Sequence, residues 1–357
     1  MIMAGGTGGH VFPALAVAQA LVAAQHEVTW MGTRAGLEAS VVPQAGIDVD
    51  WVEVGGLRGK GKTALLAAPF RIARALAQAM SILRKRRPSV VLGMGGFVSG
   101  PGGVAARLCG KPLVVHEQNA VAGMTNRWLS RIATRVLEAF SDSFPKGVAA
   151  TRVGNPVRAD IVATEPPATR LAGRSGPVRL LVIGGSQGAL ALNETIAPAL
   201  ARIDPTQRPV VRHQAGRTLD AANEAYRATG VDAEIEPFIE NMAVAYGWAD
   251  LVICRAGALT VAELAAVGVP AIFVPFPTAV DDHQTKNAAA LVERGAARLI
   301  PQRELNPERL ATELEVLCRD RGRLFEMAQR ARGLAVPDAT ERVVQNCLDV
   351  VCDGRSG

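Results

Sequence analysis

The sequence predicts an α/β protein with two Rossmann-like domains, each built on a doubly wound parallel sheet, and a cleft between the domains. Three observations support this fold class. The chain has 357 residues, which suits two domains at roughly 100–200 residues each. Short apolar runs alternate with helical periodicity in both halves, as βα units require. A glycine-rich turn follows the first predicted strand of each half.

Apolar runs in the first half predict strands at 2–4, 27–31, 49–54, 90–93 and 113–116. Helical periodicity between them predicts helices at 11–24, 69–87, 101–109 and 122–132. The second half repeats this plan, with buried parallel strands predicted at 179–183, 210–213, 251–254 and 271–274. Its helices are predicted at 190–202, 219–228, 258–266, 282–294 and 307–318.

The stretch 154–177 is the predicted boundary, because its Asn-Pro and Pro-Pro pairs break both helices and strands. We therefore expect an N-terminal domain at 1–155 and a C-terminal domain at 156–337. A last helical segment at 338–351 has no strand after it. This segment can pack on either domain and can complete the N-terminal one.

Charge is divided unevenly between the halves. Residues 1–155 carry 17 basic and 8 acidic side chains, a net charge of +9, whereas 156–357 carry 22 and 25, a net charge of −3. The basic half indicates an anionic partner, either phosphates, anionic lipid or nucleic acid. Nucleic acid is disfavoured because no patch with interleaved aromatic residues accompanies the charge. The apolar content of 49% excludes disorder as the main theme.

Five scattered cysteines without a CxxC pair argue against a disulfide framework or a zinc site, and they fit a reducing cytoplasm. The N-terminus lacks the charged and apolar regions of a signal peptide. No apolar run approaches the roughly 20 residues of a transmembrane helix. Any contact with a membrane is therefore expected at its surface.

Three glycine-rich turns, at 5–9, 93–103 and 184–188, each precede a predicted helix. Glycine lets backbone N–H groups approach a phosphate, and a helix N-terminus favours negative charge. The alternative is a set of tight turns without a ligand. NAD is disfavoured, because Val11 stands where the third glycine of a dinucleotide fingerprint belongs.

The segment 56–63 matches the P-loop pattern G-x4-G-K-T literally. A P-loop enzyme also needs an aspartate at the end of another strand to help hold magnesium, and the strands at 90–93 and 251–254 end without one. A flexible basic loop is the favoured interpretation of this segment.

Polar residues of the second half suggest a sugar-nucleotide site. Glu263 lies about one turn into a predicted helix, where a carboxylate can accept both hydroxyls of a ribose; the alternative is a glutamate favoured by the helix dipole. Gln284 and Asn287 are three residues apart and face one way. The Asp281-Asp282 pair is predicted to cap a helix rather than to bind a metal ion.

His10 follows the first glycine turn at a predicted helix start. A neutral imidazole there can take a proton from an attacking hydroxyl, whereas the alternative is a polar turn residue without a role. His26, His116 and His213 have no comparable setting.

Several motifs occur in a characteristic order: Gly5-Gly6-Thr7-Gly8-Gly9-His10, His116-Glu117-Gln118-Asn119, Gly154-Asn155-Pro156-Val157-Arg158, Gly184-Gly185-Ser186-Gln187-Gly188-Ala189, Arg255-Ala256-Gly257-Ala258 through Glu263, and Asp282-His283-Gln284. This set closely resembles the MurG family of bacterial glycosyltransferases, in glycosyltransferase family 28. The resemblance covers nearly the whole chain. Ala256 stands where many members carry Ser.

The resemblance implies the GT-B fold and an inverting transferase that moves N-acetylglucosamine from UDP-GlcNAc to lipid I, undecaprenyl-pyrophosphoryl-MurNAc-pentapeptide. The acceptor is the muramoyl 4-hydroxyl and the product is lipid II, so the expected setting is peptidoglycan synthesis, cell shape and division. It implies a peripheral enzyme on the cytoplasmic face of the inner membrane, an anionic membrane surface as partner, and contacts with cell-wall synthesis and division proteins. No cofactor or metal is expected, and stimulation by a divalent cation is left open.

The resemblance also assigns site residues. His10 is the candidate base; the residues implied to bind the donor are Thr7, Gly8, Gly9, Asn119, Arg158, Ser186, Ile239, Ala258, Leu259, Thr260, Val261, Ala262, Glu263 and Gln284. Arg158 and Ser186 are expected at the UDP phosphates, the Ile239 backbone at the uracil, and Gln284 at the GlcNAc hydroxyls. The first two glycine turns are expected to receive the acceptor pyrophosphate.

Two other functions stay open from sequence. One is a different GT-B enzyme, such as a lipid glucosyltransferase or a UDP-GlcNAc 2-epimerase. The other is a nucleotide-binding regulator without activity. For membrane contact, two faces are candidates: the stripe Ile72, Leu76, Met80 and Leu83, and the cations Arg127, Arg131 and Arg135 beside Trp128. The alternative for both is an ordinary core-facing stripe with cations at helix ends.

Overall fold

A computed structural model of the chain describes residues 1–55, 68–185 and 187–353. The chain divides into two compact units. Unit 1 comprises Met1–Arg158 and Val336–Gly357, and unit 2 comprises Ala159–Ala335. The last helical segment of the sequence therefore belongs to unit 1.

In the described residues, unit 1 contains a seven-stranded sheet in which every strand pair is parallel. Its strands are β1 (Ile2–Met3), β2 (Thr29–Gly32), β3 (Asp48–Trp51), β4 (Val91–Gly93), β5 (Leu113–Glu117), β6 (Arg135–Glu138) and β7 (Ala150–Arg152), in the spatial order β3-β2-β1-β4-β5-β6-β7. Its helices are α1 (Gly8–Ala23), α2 (Glu38–Gln44), α3 (Ala68–Arg86), α4 (Ser99–Leu108), α5 (Met124–Leu129) and, from the C-terminal segment, α15 (Ala339–Asp353).

The central strands of unit 1 are buried throughout because helices cover the sheet on both faces, and their residues are apolar except for His116 and Glu117 at the end of β5. One core cluster joins Val11 and Val17 of α1 to Trp30 of β2 and to Val343 of α15. A second joins residues of α3 and α4 to the other sides of β1, β4 and β5. The C-terminal helix thus completes the unit that the N-terminus begins.

In the described residues, unit 2 contains a six-stranded sheet with parallel pairs throughout. Its strands are β8 (Arg179–Ile183), β9 (Val210–Gln214), β10 (Glu234–Glu236), β11 (Leu251–Cys254), β12 (Ala271–Phe273) and β13 (Ala297–Leu299), in the order β10-β9-β8-β11-β12-β13. Its helices are α6 (Ala159–Val162), α7 (Pro167–Arg170), α8 (Leu190–Ala201), α9 (Leu219–Thr229), α10 (Met242–Trp248), α11 (Ala258–Val267), α12 (His283–Val292), α13 (Pro307–Cys318) and α14 (Arg321–Gly333).

These sheets confirm the predicted fold class of two Rossmann-like parallel-sheet domains. The sequence missed β6, β7, β10 and β13, which are short and carry charged residues, as in the Glu-Ile-Glu of β10. It also missed α2, where seven residues with a proline give little periodicity. The segment 56–63, with its P-loop-like pattern, lies outside the described residues.

Candidate active site

The first two glycine turns of unit 1 come together because they follow the adjacent strands β1 and β4. A Cβ on Gly96 would lie 2.3 Å from the carbonyl oxygen of Gly5, and one on Gly95 would lie 2.5 Å from the ring of His10. Both glycines have positive φ, 100° and 82° for Gly95 and Gly96. Backbone conformation and close approach both require glycine here, so the two turns and His10 form one continuous surface.

Helix α1 begins at this surface. Thr7 occupies its N-cap position, and the N–H groups of Gly8 and Gly9 lie in its first turn, where a helix offers no carbonyl acceptors. Thr7 and Gly9 are exposed, and Gly8 and His10 are partly exposed. The arrangement suits an anion at the N–H groups with an imidazole beside it.

The predicted donor residue Asn119 is fixed by a buried carboxylate. Glu117, at the end of β5, accepts hydrogen bonds from the Asn119 backbone N–H at 2.9 Å and from its Nδ2 at 3.2 Å. The same carboxylate accepts from Gly123 N at 3.1 Å and Asn126 Nδ2 at 2.8 Å. Glu117 therefore sets the path of the chain from β5 into α5 and holds Asn119 at the carboxyl end of the sheet.

The motif around His116 is tied to its neighbours in the same unit. Gln118 Nε2 donates to the carbonyl of Met94 in the second glycine turn at 2.9 Å, and Asn155 Nδ2 donates to the carbonyl of Gln118 at 2.9 Å. His116 Nε2 lies 2.9 Å from the carbonyl oxygen of Gly154, so this nitrogen carries the proton. Burial lowers the pKa of His116 to about 4, so the ring is neutral and structural at pH 7.

Arg158 ends the first chain segment of unit 1. Its guanidinium lies 5.5 Å from the centroid of the Phe12 ring in α1. The side chain is partly exposed. Arg158 thus adds a cation next to the helix that carries the first glycine turn.

The third glycine turn follows β8 in unit 2. The N–H of Gly184 donates to the Gln214 carbonyl at 2.9 Å, and that of Gly185 donates to the Gln214 side-chain oxygen at 3.2 Å. Gly188 has a φ of 78°, and a Cβ on it would lie 2.4 Å from Thr218 Oγ1. The predicted phosphate-binding residue Ser186 lies outside the described residues.

A buried polar network supports this turn from behind. Asn193 of α8 donates through Nδ2 to the carbonyls of Ala215 and Thr218, at 3.0 and 2.9 Å. Its Oδ1 lies 3.0 Å from His213 Nε2, and His213 Nδ1 lies 3.1 Å from the hydroxyl of Tyr226. Nε2 therefore carries the His213 proton, and burial lowers the pKa of this ring to about 4.

The predicted nucleotide residues 258–263 form the first turns of α11 directly after β11. Leu259, Thr260 and Ala262 are partly exposed, whereas the side chains of Ala258, Val261 and Glu263 are buried. The hydroxyl of Tyr246, itself 1% exposed, donates to Glu263 Oε2 at 2.9 Å. The tyrosine fixes one oxygen of the carboxylate and so fixes the direction of the other.

Gln284 lies in the first turn of α12, and its Oε1 accepts the backbone N–H of Phe276 at 2.9 Å. This bond directs the Nε2 group of Gln284 away from that backbone. Asn287 has a different role, because its buried Nδ2 donates to the Ala256 carbonyl at 3.2 Å. Asp282 occupies the N-cap position of α12 as predicted, but its Oδ1 accepts from the Thr285 hydroxyl at 2.7 Å rather than from a backbone N–H.

Ile239 lies three residues after the end of β10, and its side chain is 3% exposed. An anchored side chain is compatible with the predicted contact through its backbone.

The predicted membrane-facing stripe of Ile72, Leu76, Met80 and Leu83 is wrong for three of its four residues. Leu83 is buried in the core of unit 1, and Leu76 and Met80 pack on the same cluster, which leaves Ile72 exposed in that stripe. Arg135 pairs with Asp349 and Asp353 of α15. The periodicity of α3 was thus mainly that of a core-facing helix.

Among the described residues, no helix is both long and apolar enough to cross a membrane, and no group of three or more His, Cys, Asp or Glu side chains could hold a metal ion.

Some residues that shape the site carried no sequence signal strong enough to single them out. Tyr246 lies 17 residues from Glu263, and Asn193 lies 20 or more residues from the groups it holds. Glu38, a buried residue of α2 that accepts the N–H of Gly6, lies 32 residues from that glycine. A single buried polar residue in a helix looks the same in sequence as an exposed one.

Comparison with known proteins identifies the family of the two units. The model of the glycosyltransferase family 28 N-terminal domain matches residues 1–138, and that of the family 28 C-terminal domain matches residues 179–343. The fold and these matches define a GT-B glycosyltransferase of family 28.

Individual relatives show which family within this class the chain belongs to. A UDP-N-acetylglucosamine–N-acetylmuramyl-(pentapeptide) pyrophosphoryl-undecaprenol N-acetylglucosamine transferase from Marinobacter nauticus is 57% identical over 98% of this chain and 96% of its own. A protein of the same name from Alkalilimnicola ehrlichii is 59% identical over 98% of both chains. The crystal structure of Acinetobacter baumannii MurG superposes with a TM-score of 0.84 at 43% identity, covering 98% of this chain and 99% of that one. The chain belongs to the MurG family.

Proposed function

We propose that this protein transfers N-acetylglucosamine from UDP-GlcNAc to the 4-hydroxyl of the muramoyl sugar of lipid I and so makes lipid II. The observation that carries the proposal is the identity of 57–59% with two transferases of that name over 98% of this chain. The regulator without activity is disfavoured, because the residues that the resemblance assigns to the base, the ribose and the sugar are present, namely His10, Glu263 and Gln284.

In this proposal, unit 2 binds the donor. Glu263 accepts the ribose hydroxyls, the Ile239 backbone meets the uracil, and Gln284 offers its Nε2 to a GlcNAc hydroxyl. The N-terminus of α11, from Ala258, and the turn containing Ser186 face the diphosphate, because backbone N–H groups and helix dipoles stabilise anions.

Unit 1 binds the acceptor and supplies the base. The first two glycine turns hold the pyrophosphate of lipid I, Asn119 and Arg158 contact the donor, and His10 takes the proton of the 4-hydroxyl. That oxygen then attacks the anomeric carbon directly, the bond to UDP breaks, and configuration inverts. Arg158 and the backbone N–H groups at the N-terminus of α11 and in the turn containing Ser186 stabilise the negative charge of the departing UDP.

The test is an assay with purified protein, UDP-GlcNAc and a lipid I analogue, in which UDP release and the lipid product are followed by mass spectrometry. One added N-acetylhexosamine per lipid is the expected result, with no cofactor added. Parallel reactions with UDP-glucose and with a chelator test donor choice and a divalent cation. Binding of UDP-GlcNAc without transfer to the lipid contradicts the proposal, as does faster transfer from UDP-glucose.

We further propose that unit 1 meets the cytoplasmic surface of the inner membrane as a peripheral contact. Helices α3, α4 and α5 carry exposed apolar side chains: Phe70 is 80% exposed, Met124 68%, and Leu108 and Trp128 are each 62% exposed. The Arg131 guanidinium lies 4.4 Å from the centroid of the Trp128 ring. Tryptophan beside a cation suits the interface of an anionic bilayer, where each cation contributes about 1 kcal/mol.

Vesicle co-sedimentation tests this contact. Binding to phosphatidylglycerol vesicles should exceed binding to phosphatidylcholine vesicles, should weaken with salt, and should fall several-fold in a Trp128→Ser variant. Val316→Ser, which removes an exposed apolar residue from unit 2, is the matched control. Vesicle binding that does not change with lipid charge or with the Trp128→Ser substitution would contradict this part of the proposal.

A further inference from the structure

One acidic side chain of unit 1 lies directly behind the first glycine turn. Glu38 is 0% exposed and is the first residue of α2. Its Oε2 accepts the N–H of Gly6 at 2.9 Å. Its Oε1 accepts the N–H of Thr33 at 2.9 Å and the hydroxyl of Thr33 at 2.7 Å. The carboxylate therefore joins the turn after β1 to the turn after β2.

The surrounding backbone is shaped to fit this carboxylate. A Cβ on Gly5 would lie 2.5 Å from Glu38 Oε1, a Cβ on Gly36 would lie 2.0 Å from Oε2, and one on Gly32 would lie 2.9 Å from its Cγ. These glycines come from two parts of the chain, the turn after β1 and the connection from β2 to α2, and both parts pack against this one side chain. Gly5 is also in close contact with Gly96 of the second glycine turn, where a Cβ would lie 2.3 Å from the Gly5 carbonyl oxygen. The first glycine turn is thus held between Glu38 and the second glycine turn.

A carboxylate behind an anion-binding turn opposes the charge of the anion, so its presence needs a reason. Glu38 takes the N–H of Gly6, whose φ is 94°. With that peptide group fixed, the groups left to face a ligand are those at the start of α1, from Thr7 to Gly9. The bond also sets the direction in which α1, and with it His10, begins.

We infer that Glu38 is a positioning residue for the acceptor: it fixes the first glycine turn so that its N–H groups and His10 meet the pyrophosphate-linked sugar in one geometry. This inference rests on the proposed function. Glu38 is fully buried, and unit 2 binds the nucleotide in the proposed function, so the inference predicts a larger change in acceptor kinetics than in donor binding.

The variant Glu38→Gln tests it. An amide has one acceptor oxygen, so its NH2 group must face an N–H donor, either that of Gly6 or that of Thr33. One buried hydrogen bond is lost, and we expect the KM for a lipid I analogue to rise roughly tenfold and kcat to fall. The Kd for UDP should stay unchanged, and the KM for UDP-GlcNAc should rise less than the KM for the lipid I analogue. Hydrogen exchange should become faster in the peptide covering residues 2–12 and not in the one covering 180–190.

Glu138→Gln is the matched control. Glu138 is a buried carboxylate of the same unit that accepts the N–H groups of Asp142 and Ser143, at 3.2 and 3.0 Å, away from the glycine turns. It should lower thermal stability to a similar extent and leave the acceptor KM within about twofold of the wild-type value. If Glu38→Gln does not fold, Thr33→Val removes one of the three bonds and should raise the acceptor KM about two- to threefold.

Two results would overturn the inference. One is an unchanged acceptor KM in Glu38→Gln although exchange of the first turn has become faster. The other is a parallel loss of donor and acceptor parameters that follows stability alone, as in the Glu138 control. A wild-type enzyme that binds UDP but transfers no sugar would instead contradict the proposed function, and the exchange data would still report whether Glu38 holds the turn.

Discussion

The contact between Tyr246 and Glu263 allows a quantitative test of the donor site. If Glu263 accepts both ribose hydroxyls, Glu263→Ala removes two charge-assisted hydrogen bonds. At about 1.5 kcal/mol each, the Kd for UDP should rise roughly 100-fold. Tyr246→Phe leaves the carboxylate in place but removes the hydroxyl that donates to Oε2 at 2.9 Å. The carboxylate must then be ordered on binding, which costs about 1 kcal/mol and corresponds to a roughly fivefold weaker Kd.

Calorimetry with UDP and 2′-deoxy-UDP separates this effect from general damage. Wild type should prefer UDP strongly. The preference should be weaker in Tyr246→Phe and absent in Glu263→Ala, because the lost interaction is with the ribose. The double variant should bind UDP no more weakly than Glu263→Ala alone, because the tyrosine acts through the carboxylate. Tyr226→Phe, which removes the hydroxyl that contacts His213, is the matched buried control.

Two results would refute this role of Tyr246. One is that Tyr246→Phe weakens the binding of UDP and of 2′-deoxy-UDP by the same factor, and the other is that the effects of the two substitutions on UDP binding are additive. Either result would mean that the tyrosine supports the fold of unit 2 rather than the direction of the Glu263 carboxylate.

Two further predictions concern histidines. His10→Gln should lower kcat by about 10²- to 10⁴-fold with little change in the KM for UDP-GlcNAc, since a general base acts in the transition state. The control is His26→Gln, which changes an exposed histidine of the same unit. An unchanged kcat in His10→Gln would show that His10 is not the base. Burial lowers the pKa values of His116 and His213 to about 4. The unfolded chain therefore binds more protons than the folded chain between about pH 4 and 6.5. The free energy of unfolding should fall as the pH drops through that window, by up to roughly 3 kcal/mol per histidine. Urea denaturation from pH 7.5 to 4.5 measures this, with a shallower slope expected in His213→Gln; stability that is flat over the window would contradict it.

Much of the fold was predictable from sequence because buried parallel strands are nearly continuous apolar runs. Arg179–Ile183 and Leu251–Cys254 have the bounds that their apolar runs predict. The edge strands were not predictable in this way. Among the described strands, Glu234–Glu236 pairs with β9 alone, at the edge of the sheet. Its residues therefore need not be apolar, and its backbone hydrogen bonds leave no pattern in the sequence.

The sequence identified some residues of the candidate site and missed the residues that support them. Residues in the segments that follow strands could be singled out. His10 stood out by its place after the first glycine turn, Gln284 by its spacing from Asn287, and Asn119 by the family resemblance. Residues that hold those segments from behind did not stand out. His213 was set aside in the sequence and proves to be the centre of a network in unit 2, because its partner Asn193 lies 20 residues away on the other side of a strand-helix crossover. Such pairings depend on the fold, and one sequence without the fold does not contain them.

Buried carboxylates of unit 1 hold two segments that follow strands of the sheet, the first glycine turn and the segment from β5 to α5. A turn that must present its N–H groups to an anion cannot use all of them to hold itself in shape, and its glycines make it conformationally free. Glu38 holds the first glycine turn in this way, and Glu117 holds the segment that carries Asn119. Each is buried, and each accepts two backbone N–H groups. Two carboxylates in the basic half of the chain therefore lie behind the anion-binding edge rather than in it. Their negative charge opposes the ligand, so their benefit must come from order. This requires that their removal weaken binding of the anion even though it removes a repulsive charge, and the opposite sign, tighter pyrophosphate binding in Glu38→Gln, would show that electrostatics dominates over positioning at this edge.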